Sequence, residues 1–445
     1  MNKYPKYKIS KFDWLGEVPE HWVITKNRYG FIKSNNGSNQ SESTPVLSLT
    51  TKGVKVKENL NFGKSSESYI GHQLVEVGDI VFTPRDFDQT PILSDVSKYN
   101  GCISNLYIVD KTKNNVLNYF VNYYWYGLKY SVNYFKNFSH GMRYSFNRFQ
   151  FDEIPLLVPS LSEQHQIVRY LNEKTELIDK LISTKERKIT LLKEQRTSII
   201  NQVVTKGLNP NVKMKNSGVE WIGEISLSWN FIPMKYFTIR KNGIQTGPFG
   251  TQLNTKDYTE SGVKVLNQKT LINDEYILGE EFISYEKFQE LKGFNVMEGD
   301  LIMGTRGSFG TSNRTTFGKV SEVPSGLGDC VLHPCLIRIR LNDNLVNKTY
   351  FKYYINDSTL FLDQIRNTSN STTIEVIYGV TLKDIKIPIP SKNEQLQIVD
   401  YLNLKTKEID DLVQLEHKKI DLLKEYRQSL ISEVVTGKIK VTTNE

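Results

Sequence analysis

Apolar residues recur at alternating spacings of three and four along two stretches of the chain, 160–207 and 391–437. In the first they fall at Ile167, Leu171, Ile178, Leu181, Ile189, Leu192, Ile199 and Val203. In the second they fall at Ile398, Leu402, Ile409, Leu412, Ile420, Leu423, Leu430 and Val434. Such a heptad seam predicts one long helix with a single apolar face in each stretch. Neither stretch contains Gly or Pro before its closing Gly. Ser160 with Glu163, and Ser391 with Glu394, follow a proline and form the S-x-x-E pattern of a capping box. Gly207 and Gly437 stand where a helix would stop. At about 1.5 Å per residue each helix would span roughly 65–70 Å. Lys174, Lys185 and Arg196 interrupt the first seam, and Lys405, Glu416 and Arg427 the second. Polar seam residues cost stability but help to fix register.

The two stretches are copies. Placing Pro159 over Pro390 aligns fifty positions without a gap, and 27 of them are identical. Both read P-S-x-x-E-Q-x-Q-I-V-x-Y-L-N-x-K-T, then L-L-K-E-x-R-x-S, then V-V-T. A second repeat opens each half: Ser10, Trp14, Gly16, Glu17 and Trp22 align with Ser217, Trp221, Gly223, Glu224 and Trp229 at an offset of 207. The paired indoles predict structural anchors rather than direct chemistry. An internal period of this kind governs the reading of the fold.

Between these fixed ends lie two inserts, 31–153 and 238–384, with no evident alignment to each other. Strand-like runs occur at 80–83 and 106–109 in the first, and at 263–266, 300–303 and 335–340 in the second. Residues 119–138 and 348–361 have helical character. The expected fold is α/β: two globular domains and two long antiparallel helices forming a coiled coil, related by a pseudo-twofold repeat. The expected boundaries are 1–153 for the first domain, 154–207 for the first helix and 208–220 for a linker. Then come 221–384 for the second domain, 385–437 for the second helix and 438–445 for a tail. A chain of 445 residues exceeds what one ordinary core accommodates.

Charge modifies this picture only modestly. There are 57 basic and 49 acidic residues, a net +8, which suits a polyanionic partner. Three cysteines, Cys102, Cys330 and Cys335, make no disulfide framework and fit a reducing compartment. Without an apolar leader or a membrane-length apolar run, the expected location is the cytoplasm.

Catalytic patterns are incomplete. Gly63, Lys64 and Ser65 resemble the end of a phosphate loop, but position 58 is Glu where that cradle needs Gly. The E-x-K pairs Glu186/Lys188 and Glu416/Lys418 lie on the long helices without a partner acid, as solvated helix surface does. Cys330, His333 and Cys335 lack a second ligand pair for zinc. No metal and no cofactor is expected on this chain.

Polar loops bracketed by glycine are better represented. Donors that match base edges and phosphates occur at Arg85, Gln89, Arg143, Tyr144, Asn147 and Arg148 in the first insert. In the second they occur at Gln245, Thr246, Thr251, Arg306, Ser308, Asn313, Arg314 and Asn370, with Gly247 and Phe249 in the same G-P-F-G-containing loop. The alternative for each is plain surface loop.

Taken together, the chain resembles the specificity (S) subunit of a type I restriction-modification system. The resemblance rests on the paired W-[LI]-G-E openings, the paired P-S-x-x-E-Q-x-Q-I-V ends and the two variable inserts between them. The loop at Gly247–Leu253 is similar to one met in such inserts, and the first insert lacks it. The resemblance implies two target recognition domains, each reading one part of a bipartite, asymmetric duplex DNA target. It implies helices that act as spacer and dock modification (methyltransferase) subunits, two of them expected, and a further restriction and translocation subunit. S-adenosylmethionine, ATP and Mg would be used by those partners, and the chain itself would be non-catalytic. A coiled-coil scaffold or adaptor with two ligand-binding modules is the alternative.

Overall fold

The structure is a computed structural model that describes residues 3–58, 68–85, 92–130, 134–135, 145, 147–269, 271, 281–307, 316–368 and 375–441. The predicted long helices are present as Leu161–Lys206 and Lys392–Val435. The chain forms two compact units, one of residues 1–187 with 416–445, the other of residues 188–415. Each long helix therefore contributes to both units, and the boundaries expected at 153/154 and 384/385 lie inside them.

In the first unit the strand Val23–Lys26 pairs antiparallel with Pro155–Val158, closing the insert at its base. A four-stranded antiparallel sheet runs in the order Phe31–Lys33, Ile108–Thr112, Ile80–Phe82, Ser94–Val96. The aromatic helix Asn118–Tyr130 packs Phe120, Tyr124 and Trp125 into the core. That core is completed by Leu430, Ile431, Val434 and Val435 of the second long helix.

The second unit repeats this plan. Asn230–Pro233 pairs with Lys386–Ile389, and the four-stranded sheet runs Ile244–Thr246, Leu336–Ile339, Leu301–Gly304, Val320–Glu322. Ile200, Val203 and Val204 of the first long helix enter its core beside Ile398 and Leu402. A five-stranded sheet, Tyr258–Thr259, Phe282–Ile283, Val263–Leu266, Cys330–Leu332 and Asn295–Val296, adds a second layer. The two inserts thus share sheet order and register although no alignment was evident from sequence. The strand pair Ile80/Asp110 corresponds to Leu301/Ile339.

A signal for this was present. Val77-Gly78-Asp79 and Glu298-Gly299-Asp300 both precede the strand that crosses the sheet. Both glycines have positive φ, +95° and +75°. Asp79 accepts the Glu76 N–H at 2.9 Å, and Asp300 accepts the Met297 N–H at 2.8 Å. One turn is built twice at an offset of 221 residues, between the offsets of 207 and 231 at the insert ends.

The repeated helix motif has a physical meaning for each letter. Ser160 and Glu163 form the expected reciprocal cap, and the Ser391 hydroxyl accepts the Glu394 N–H at 3.3 Å. Gln164 is fully buried, accepts the Leu117 N–H at 2.7 Å and donates to Asn115 O and Pro159 O. Gln395 makes the same bonds to Asn347, Leu345 and Pro390. Each amide ties the start of its helix to the insert it follows. Trp22 is buried against the close approach of Gly437, and Trp229 against Gly207, so the second indole of each opening is an anchor as expected, whereas Trp221 is 38% exposed.

Along the seam Ile167, Leu171, Ile178, Ile189, Ile398, Leu402, Ile409 and Ile420 are buried, and Leu192 and Leu423 are half-buried. Leu181 and Leu412 depart from expectation: they are 51% and 42% exposed. From Ile178 the seam steps by four to Ile182, then by three to Lys185, so Leu181 joins Leu177 on the outer face. Val413 replaces Leu412 for the same reason. Lys174 and Lys405 depart from expectation, since the buried residues there are Thr175 and Thr406, whereas the other polar seam residues are paired. Arg196 donates to Asp410 and Asp357, while Arg427 lies 3.2 Å from Asp179 and donates to Tyr126. Lys185 meets Glu416 at 2.9 Å, and Glu416 is 2% exposed. These two residues are the same repeat position, 231 apart, touching each other.

Glu416→Lys would set one lysine against another in that buried contact. The expected loss is about 3 kcal/mol of stability, largely recovered in Lys185→Glu/Glu416→Lys, as read by urea unfolding of both variants. A chain ending at residue 415 is expected to lose amide-exchange protection in the Ile80–Phe82 sheet and the Asn118–Tyr130 helix, while the Leu301–Gly304 sheet stays protected.

Candidate nucleic-acid interface

Three segments meet in each unit, and the shared framework brings them to corresponding places. In the first they are the end of Phe31–Lys33 with Ser34 and Asn35, the exit from Ile80–Phe82 at Arg85, and the start of the helix Arg148–Asp152. They line one cleft of about 1000 Å³. Arg85 is held there by an antiparallel bridge to Ser145 and by the Thr83 hydroxyl, which donates to Arg85 O at 3.2 Å. Its side chain is exposed.

Asn147 caps the short helix: its Oδ1 accepts the Gln150 N–H at 2.9 Å, and Gln150 Oε1 accepts the Asn147 N–H in return. Its side-chain NH2 has no hydrogen-bond partner among the described residues. Arg148 is committed differently. It donates to the buried Asp110 at 2.6 Å and to Asp152 at 2.9 Å, and lies over the Phe151 ring. Burial pushes the Asp110 carboxyl above the usual carboxylate range, and Arg148 opposes that shift. Arg148 therefore braces the wall of the cleft, which Lys33, Asn35, Arg85 and Asn147 also line.

In the second unit the strand Ile244–Thr246 leads into Gly247, where a Cβ would come within 2.2 Å of His333 O. Only glycine allows that approach. Gln245 is half-buried and donates to Thr246 O at 2.9 Å, and Thr246 is half-buried. Phe249 is 74% exposed on a loop fixed by its N–H donating to Gln252 Oε1 at 3.0 Å, and Thr251 beside it is exposed. Arg306 leaves Leu301–Gly304 as Arg85 leaves its strand, and its backbone pairs with Val376. Its carbonyl accepts Gln268 Nε2 at 2.8 Å. The helix Gly379–Asp384 begins against the strand end, a Cβ on Gly379 lying 2.6 Å from Thr246 Oγ1.

Of the residues expected to contact DNA, Gln89, Arg143, Tyr144, Ser308, Asn313, Arg314 and Asn370 lie outside the described residues. Sequence reasoning passed over Lys33 and Asn35, which occupy the place of Ile244 and Thr246. The first insert lacks the G-P-F-G loop, yet the same site in its sheet is present. It also passed over Tyr378, 61% exposed at the position of Asn147, and over Phe149 and Val380, both 71% exposed at a common position. The 231-residue offset of the long helices extends back through these residues and could have found them.

Among the described residues no three His, Cys, Asp or Glu side chains come together to hold a metal ion. His333 Nδ1 accepts the Cys335 N–H at 3.1 Å, and Cys330 is buried in its strand. No helix of the described residues is long and apolar enough to cross a membrane.

Comparison with known proteins agrees with this architecture. The chain is 23% identical over 449 residues to the MjaX type I restriction enzyme specificity subunit of Methanocaldococcus jannaschii, covering 96% of each. It is 24% identical over 348 residues to the MjaVIII type I restriction enzyme specificity subunit of the same organism, covering 77% of this chain and 75% of that one. Two solved structures share the fold at 14% identity. One, from work on assembly and conformational transition of the type I R-M system, has a TM-score of 0.66 and covers 95% of this chain and 99% of its own. The other, the HsdS subunit of Thermoanaerobacter tengcongensis, has a TM-score of 0.51 and covers 95% and 98%. A family model described as the type I restriction modification DNA specificity domain matches twice, at residues 25–191 and 244–425, and the chain belongs to that family.

Proposed function

We propose that this chain is the DNA-recognition subunit of a type I restriction-modification complex, and that each unit reads one part of a bipartite, asymmetric duplex target. The observation that carries the reading is one framework built twice with unlike side chains at the same cleft positions. Lys33, Asn35 and Asn147 face the first cleft where Ile244, Thr246 and Tyr378 stand in the second unit. Amide, hydroxyl and guanidinium groups at strand exits suit base edges, and a net +8 suits the phosphate backbone.

The long helices supply the docking surface for modification subunits. Leu181 and Leu412, equivalent by the repeat, are exposed on the outer faces, as are the equivalent Leu191 and Leu422. Leucines presented twice at matching positions favour two copies of one partner. The chain then contributes recognition and no catalysis. S-adenosylmethionine, ATP and Mg belong to the partner subunits, in the cytoplasm where the DNA is.

Exchange of residues 238–384 for the insert of a relative is expected to change one half of the methylated sequence and leave the other intact. Methylation mapping reads this directly, and a change in both halves refutes separate reading. Leu181→Asp/Leu412→Asp is expected to abolish co-purification with modification subunits at unchanged thermal stability. Binding of the isolated chain to random duplex should fall at least tenfold between 50 and 200 mM salt, whereas an adaptor for another ligand would show little dependence.

A further inference from the structure

We propose that Arg85 and Arg306 are a matched pair of base-reading residues. The two halves of the target, though different, then each contain a guanine at the corresponding place. This rests on the recognition reading above and goes beyond it by assigning one base.

Their equivalence is fixed from both sides. Arg85 stands six residues after Asp79, and Arg306 six residues after Asp300, the two carboxylates that close the repeated turn. Their backbone partners, Ser145 and Val376, are 231 residues apart, the offset of the long helices. Among the described residues of the paired strands and the following helix no other arginine has an arginine at the matching place: Arg148 matches Gly379, Arg338 matches Val109, and Arg340 matches Lys111.

Both guanidinium groups are also available. They are exposed, and neither makes a hydrogen bond or ion pair among the described residues. Their neighbours contrast with this. Arg148 is spent on Asp110 and Asp152, Arg340 on Asp300, and Arg338 is buried. The backbone under each of the two is held by a β-bridge and by a side-chain hydrogen bond, Thr83 to Arg85 O or Gln268 to Arg306 O. A long side chain on a fixed root reaches one place rather than many. A planar fork of donors matches O6 and N7 of guanine in the major groove, the commonest specific protein–base contact. The surroundings do the discriminating: Asn35 and Asn147 share the cleft with Arg85, and Thr246 and Tyr378 stand at the corresponding places in the second unit. A shared base flanked by different ones follows.

The test uses the chain assembled with its modification subunits, methylating a randomised duplex library read by sequencing. Wild type is expected to select a bipartite target with a G·C pair in each half. Arg85→Ala should relax one G·C pair in one half by roughly ten- to a hundredfold, leaving the other half unchanged, and Arg306→Ala should do the converse. Arg85→Lys and Arg306→Lys keep the charge and lose the fork, so they should also lose selectivity. A uniform loss across all sequences with wild-type selectivity in the lysine variants would mark phosphate contacts and overturn the assignment. So would relaxation at a pair other than G·C. If wild type selects no bipartite target, the recognition reading falls first and this assignment with it.

Discussion

Neither repeat of this chain buries its own core. The apolar face of Asn118–Tyr130 and the sheet behind it are covered by Leu430, Ile431, Val434 and Val435, which come from the far end of the sequence. The second unit is covered in turn by Ile200, Val203 and Val204 from the first repeat. Gly127 records how tight the fit is: a Cβ there would lie 2.9 Å from Val435 and 3.2 Å from Ser432. Trp22 and Trp229 close the same junctions, each where one long helix begins and the other stops. Burial of this kind is the main favourable term in folding, so helix pairing and unit stability are one quantity.

Duplication constrains which residues can stay identical. Apolar seam positions can face their own copies without penalty, and many are unchanged between the repeats. A charged position cannot. Where the helices bring position 185 against position 416, a lysine meets a glutamate. Position 126 carries Tyr and position 357 carries Asp, so Arg427 is met by one carboxylate and Arg196 by two. The frame has kept its symmetry in packing and lost it in charge.

What was legible in sequence follows the same division. Long periodic helices, their caps, their stops and the anchoring tryptophans were all readable, because each rests on local chemistry repeated twice. Leu181 and Leu412 were misplaced because an apolar residue three or four positions on fits a heptad equally well, and only packing chooses between Leu181 and Ile182. The inserts hid their kinship because short strands tolerate almost any apolar residue. Identity was kept where backbone geometry demands it, as at Gly78-Asp79 and Gly299-Asp300, and where a side chain ties the insert to its helix, as Tyr123 does to Asn172 and Tyr353 to Asn403. Arg85 and Arg306 were each visible as donors, but their equivalence needed the strand register. Arg148 looked like another donor. Its commitment to Asp110, 38 residues earlier in sequence, is a tertiary fact.

The covering of the first core by the last thirty residues bears on how the protein is made. A ribosome adds about 5–20 residues per second, so some tens of seconds separate the emergence of residue 187 from that of residue 445. Through that interval the helix face at Tyr126 and Gly127 lacks Arg427, Ser432 and Val435, although all the strands of the sheet have been synthesised. Until the closing helix arrives this face is transiently exposed apolar surface, the kind through which partly made chains associate.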